Sequence, residues 1–120
     1  MSFFKRKVAY PAMNKDGTIE LDEGCFDEYL TKNQSVAVMF YRTNCGHSAK
    51  MEPVFAELCS ELKGRASFCK VSTPMNMGLV HKYSVKGTPT FIMIKNGSVV
   101  SSVMGELVKD ALRAEVEKCA

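Results

Sequence analysis

The run Ser35–Tyr41, SVAVMFY, most constrains what this chain can fold into. It is continuously apolar, carries β-branched residues and has no charge. A strand of that kind needs cover on both faces, which a parallel or mixed sheet flanked by helices provides. The next stretch changes period. Met51, Val54, Phe55, Leu58 and Leu62 recur at helical spacing between about Gly46 and Leu62. Pro53 inside that pattern predicts a kink, and Gly64 suits the C-terminal cap.

The rest of the chain alternates in the same way. Thr18–Leu21 reads as a short strand after the turn Asn14–Gly17, and Gly24–Lys32 as a helix presenting Phe26, Tyr29 and Leu30. Ala66–Ser72 is a second buried strand, and Met77–Tyr83 a short helix. Thr90–Ile94 and Ser98–Met104 are strands joined at Lys95-Asn96-Gly97, a strong hairpin signal. Val108, Ala111, Leu112, Val116 and Cys119 mark a last helix. The order β-α-β-α-β-α-β-β-α predicts a three-layer α/β domain with a mixed central sheet and helices on both faces. At 120 residues one domain is expected, here over 19–120 behind an N-terminal arm at 1–18.

Composition narrows the function classes. Net charge is +3, too small to argue for nucleic acid or a membrane surface, and no apolar run approaches a membrane span. Lys5, Arg6 and Lys7 precede an apolar stretch that Pro11 cuts short, so a secretory leader is not expected. The five cysteines are odd in number and irregular in spacing, and no Cys-x-x-Cys pair occurs. That argues against a disulfide framework or a zinc site, and for a reducing, cytoplasmic setting. No metal or resident cofactor is expected.

One cysteine is placed for chemistry. Cys45, in Asn-Cys-Gly-His-Ser, stands where the strand gives way to the helix. Unpaired N–H groups and the positive end of the helix dipole favour a thiolate there, and the thiolate is the species that attacks disulfides. His47, when charged, would assist; the alternative is a solvated loop residue. The Ser48 hydroxyl can donate to a thiolate but cannot be oxidised. Cys59 lies 14 residues along the same helix, roughly 21 Å away at 1.5 Å per residue, far beyond disulfide reach. Cys25, Cys69 and Cys119 read as small hydrophobes. Met75 and Met77 read as core filling or as a soft contact surface.

From about Ile19 to Cys119 the chain resembles the thioredoxin family. The segment FYRTNCGHSAKMEPVF is similar to that family's active-site strand and helix, and Cys-Gly-His is the form found in protein disulfide isomerase domains. GTPT at Gly87–Thr90 is similar to the loop whose proline takes the cis form beside the thiol. Lys95-Asn96-Gly97 and then Gly105 match the family's hairpin turn and following glycine.

The resemblance implies a thioredoxin-like fold, a catalytic Cys45, and a substrate groove formed by Asn44, Gly46, Thr88, Pro89 and Gly105. The backbone at Thr88 would pair with an extended substrate peptide. Three departures stand out. Ser48 replaces the second cysteine and Asn44 the usual Trp. Met39 replaces the buried acid, although its partner lysine is kept as Lys70.

The expectation is a monomeric, single-thiol oxidoreductase or isomerase that forms mixed disulfides with thiol- or disulfide-containing proteins. An external thiol such as glutathione would resolve them. The alternatives are a redox-inactive binding module of the same shape, and a dithiol enzyme whose second cysteine has been exchanged for Ser48 to trap partners. Lys70, left without its acid, is expected to snorkel outward or to approach Cys45 through water.

Overall fold

The computed structural model describes residues 9–120. Its sheet contains β1 (Ala12–Met13), β2 (Ile19–Glu20), β3 (Ser35–Tyr41), β4 (Ser67–Ser72), β5 (Thr90–Lys95) and β6 (Ser98–Met104). The strands lie in the order β1-β2-β4-β3-β5-β6. Strand β3 sits inside the sheet, parallel to β4 and antiparallel to β5. The helices among the described residues are α1 (Glu23–Lys32), α2 (Gly46–Glu61), α3 (Met77–Lys82) and α4 (Lys109–Glu117).

The continuous apolar run of β3 is used on both sides, as its composition requires. Ala37 and Met39 pack with Met51, Phe55 and Leu58 of α2 and Leu112 and Val116 of α4. Val36, Val38 and Phe40 pack with Phe26 of α1 and Leu79 of α3. The period-two alternation of the strand thus divides the core into two layers, each closed by a pair of helices. Phe55 joins the halves of its layer by tilted ring contacts with Phe68 and Phe91, at centroid distances of 5.1 and 5.8 Å.

Helix starts and turns follow local chemistry. Asp22 caps α1, its Oδ1 accepting from the Cys25 N–H at 3.1 Å. Asn96 and Gly97 both have positive φ, +50° and +82°, which suits the tight turn between β5 and β6. Pro53 lies within α2, and the helix runs unbroken across it.

The start of the domain differs from the expectation of an arm over 1–18. Residues 5–7, the basic part of that arm, lie outside the described residues. Ala12 and Met13 instead form the sheet edge, pairing antiparallel with β2. Asp16 accepts from both the backbone N–H and the hydroxyl of Thr18, which is fully buried. The strand is too short for period two to register in the sequence, but the turn closing it was legible.

Candidate active site

Cys45 is the N-cap residue of α2, with extended φ and ψ of −105° and 115°. Its carbonyl accepts the first helical bond, from Ala49 N–H at 2.9 Å. Asn44 before it has φ +64°, a left-handed conformation that asparagine tolerates better than most residues. The strand thereby turns sharply into the helix and leaves the sulfur partly exposed.

The loop before β5 supplies the thiol's second wall. The Thr88–Pro89 peptide is cis. The Thr88 hydroxyl lies 3.3 Å from Cys45 Sγ, and the Thr88 carbonyl oxygen 3.8 Å from it. A thiol can donate to that carbonyl, and a thiolate can accept from that hydroxyl. The hydroxyl is the main reason that the thiol's pKa is lowered, from an ordinary 9.0 to about 7. The Ser48 N–H and the Ser48 hydroxyl act in the same direction; burial opposes them less strongly, and the His47 N–H adds the smallest assistance. These groups favour the anion although Cys45 forms no ordinary side-chain cap bond.

Ser48 is fully buried in the first turn of α2, and its Oγ accepts from the Arg42 N–H at 3.3 Å. His47 is exposed, and its Nδ1 engages Glu106 Oε2. What His47 gives to the thiolate is its backbone N–H, where the sequence pointed to its ring. Gly105 has φ +100°, open to glycine and strained for other residues. Its N–H donates to the Pro89 carbonyl at 2.8 Å, which fastens the loop after β6 to the cis-proline loop. Gly46 is open on its Cβ side. A shallow hollow of about 480 Å³ lies beside Cys45, lined also by Arg42, Thr43, Asn44, Ala49 and Glu52.

The other thiols are set apart from this chemistry. Cys69 and Cys119 are buried, and burial pushes the Cys69 thiol up to about 12 and raises that of Cys119. Cys59 points its sulfur toward the Gly17 carbonyl, 3.7 Å away, and burial raises its pKa as well. Cys25 is raised for the same reason. Among the described residues no group of three or more His, Cys, Asp or Glu side chains is placed to hold a metal ion. No described helix is long and apolar enough to cross a membrane.

Lys70 corrects an expectation. It is only 7% exposed and does not snorkel into solvent. Its Nζ lies 3.4 Å from Glu52 Oε1 and 4.5 Å from the centroid of the Tyr41 ring. The Tyr41 hydroxyl in turn donates to Glu20 Oε2 at 2.6 Å. The charge is therefore paired from α2 rather than from strand position 39. A Glu seven residues after Cys45, on the same helical face, was the available signal.

The family model for thioredoxin matches residues 17–118. The chain belongs to the thioredoxin family. It is 27% identical over 97 residues to a thioredoxin of Chlorobaculum thiosulfatiphilum, covering 81% of this chain and 90% of that protein. It is 31% identical over 104 residues to the chloroplastic thioredoxin M5 of Oryza sativa subsp. japonica, covering 86% of this chain and 60% of that protein. It is 28% identical over 110 residues to protein disulfide isomerase-like 1-3 of Arabidopsis thaliana, covering 92% of this chain and 19% of that protein. Thioredoxin-family membership supports a thiol–disulfide oxidoreductase role in general. The α/β architecture with its mixed six-stranded sheet is the thioredoxin-like fold.

Proposed function

We propose that the protein is a single-thiol oxidoreductase or isomerase acting on protein disulfides in a reducing compartment. The observation that carries this reading is the Thr88 hydroxyl 3.3 Å from the partly exposed Cys45 sulfur, at a helix start where the fourth residue is a buried serine. The Cys45 thiolate attacks one sulfur of a substrate R–S–S–R′. Cys45–S–S–R forms, the substrate S–S bond breaks, and R′–S⁻ leaves with the electron pair. Ser48 has no sulfur with which to attack the mixed disulfide. A second thiolate, from the substrate or from an external thiol such as glutathione, attacks the R sulfur. Cys45–S⁻ then leaves, stabilised by Thr88.

Asn44, Gly46, Thr88, Pro89 and Gly105 border the approach to the sulfur in this reading. The Thr88 carbonyl doubles as an acceptor for an extended substrate backbone.

The test is incubation with a protein carrying scrambled disulfides, with and without glutathione. The expected result is a covalent adduct through Cys45 when glutathione is absent, and net release of reduced substrate that depends on glutathione, while reshuffling through the substrate's own thiols does not. A protein that forms no adduct, or one that in its reduced form reduces the substrate disulfide stoichiometrically without added thiol and ends with an internal disulfide, would sink the single-thiol reading.

A further inference from the structure

The His47 ring stands close in sequence to a thiolate, yet a carboxylate from another part of the fold engages it. His47 is the second residue of α2. Glu106 follows Gly105, whose N–H is bonded to the Pro89 carbonyl, so Glu106 belongs to the loop on the cis-proline side of the site. The His47–Glu106 contact therefore joins the two walls that flank Cys45. Lys50, one turn further along α2, approaches the same Glu106 oxygen at 3.9 Å. Glu106 is held below its ordinary carboxylate range, chiefly by His47 and to a smaller extent by Lys50. Arg42 and Glu52 are the other charged groups bordering the hollow at Cys45.

We propose that Glu106 is a positioning residue for the thiol chemistry: by engaging the His47 ring it cancels, whenever that ring carries a proton, the positive charge the ring would present to Cys45, and so lengthens the life of the mixed disulfide. An imidazolium beside a thiolate stabilises the anion. The same cation bonded to a carboxylate carries no net charge as a pair, and its effect at the sulfur is largely cancelled. A less stabilised thiolate is a poorer leaving group, so a thiol attacking the R sulfur expels Cys45 more slowly. The part of this inference that concerns lifetime rests on the single-thiol reading above; the part that concerns thiol acidity does not.

The test is a double-mutant cycle on Glu106→Gln and His47→Gln, read first by the ultraviolet absorbance of the Cys45 thiolate against pH. Both sites are at the surface, and Glu106→Asp serves as the conservative control. Glu106→Gln is expected to lower the Cys45 pKa by roughly half a unit, the scale of one freed, solvent-screened charge. In the His47→Gln background the same change is expected to do little. Glu106→Asp is expected to keep the wild-type value.

An unmoved pKa in Glu106→Gln would overturn the proposal. So would a shift that survives undiminished without His47, since the carboxylate would then act on the sulfur directly. The second readout is the release of a short cysteine peptide from its mixed disulfide with Cys45 by excess glutathione, followed by mass spectrometry. Release is expected to be about two-fold faster in Glu106→Gln; an equal or slower rate contradicts the lifetime argument. A wild-type protein that forms no mixed disulfide at all would strike the single-thiol reading and leave the titration to decide the role of Glu106.

Discussion

Lys70 and Met39 face each other as register partners on β4 and β3, yet the counter-charge of Lys70 comes from Glu52 on α2. A buried ammonium without a partner is costly. The chain meets that requirement from the helix, and the strand position is free to be apolar. Glu52 is half exposed at its side chain while Lys70 is enclosed, so the pair is lopsided in its hydration. Removing Glu52 by Glu52→Ala is expected to destabilise the fold by about 1 kcal/mol, since the lysine stays behind. Lys70→Met removes the buried charge itself and is expected to be neutral or slightly stabilising. Urea midpoints at constant slope measure both. Equal losses in the two variants would show that the pair acts only through packing.

Thr88 controls the acidity of Cys45. The rate of alkylation by iodoacetamide is expected to rise with pH around a midpoint of about 7 in the wild type. In Thr88→Val the midpoint moves upward by roughly one unit, because the hydroxyl stabilises only the anion. Thr88→Ser keeps a donor and is expected to hold the wild-type midpoint. The folded thiol is depressed relative to the unfolded one, at an ordinary value near 9.0. Its contribution to stability is therefore complete above pH 9.0 and is lost as pH falls through about 7. A Cys45→Ala variant should lack that slope in a chemical-denaturation series across this window.

Ser48→Cys tests whether one atom separates this site from a two-thiol one. The variant restores Cys-Gly-His-Cys in the first turn of α2. Used in its reduced form and in stoichiometric amount, it is expected to reduce a protein disulfide without added glutathione while Cys45 and the new thiol close into an internal disulfide, measured by turbidity of reduced insulin. A folded Ser48→Cys protein that remains dependent on external thiol would place the missing chemistry elsewhere, at Met39 or Asn44.

Gly105→Ala is a test of backbone rather than of side chain. Nothing lies within 4 Å of a Cβ built there, so no clash arises. The strain comes from φ +100° alone. The substitution is expected to cost about 1–2 kcal/mol and to slow Cys45 alkylation, because the Pro89 carbonyl depends on the Gly105 N–H for its place. Thermal unfolding and alkylation kinetics check the two effects separately.

The legible part of the molecule is the part written in periods. The two-sided run of β3, the helical spacing after Gly46 and the Asn96-Gly97 turn each specify their element locally. Cys45 was legible for the same reason, since a strand-to-helix junction is a local event. What the sequence concealed depends on residues far apart in the chain. Thr88 reaches Cys45 across 43 positions, and Glu106 reaches His47 across 59. The resemblance placed the Thr88 backbone beside the thiol through its neighbour Pro89, but not the reach of its hydroxyl to the sulfur, and nothing in the immediate neighbours of Glu106 singles it out. The β1 edge was hidden by its brevity, two residues being too few for an alternating pattern.

The serine at position 48 has a kinetic meaning. Its oxygen accepts from the Arg42 N–H and its hydroxyl favours the Cys45 anion, but it has no sulfur with which to break a mixed disulfide. Under the single-thiol reading, the covalent complex then holds no internal timer. How long a captured client stays attached depends on the supply of small thiols around it, through a second-order encounter. Such a protein would release quickly in a well-reduced cell and retain its clients as that pool is depleted, turning the surrounding redox balance into a dwell time.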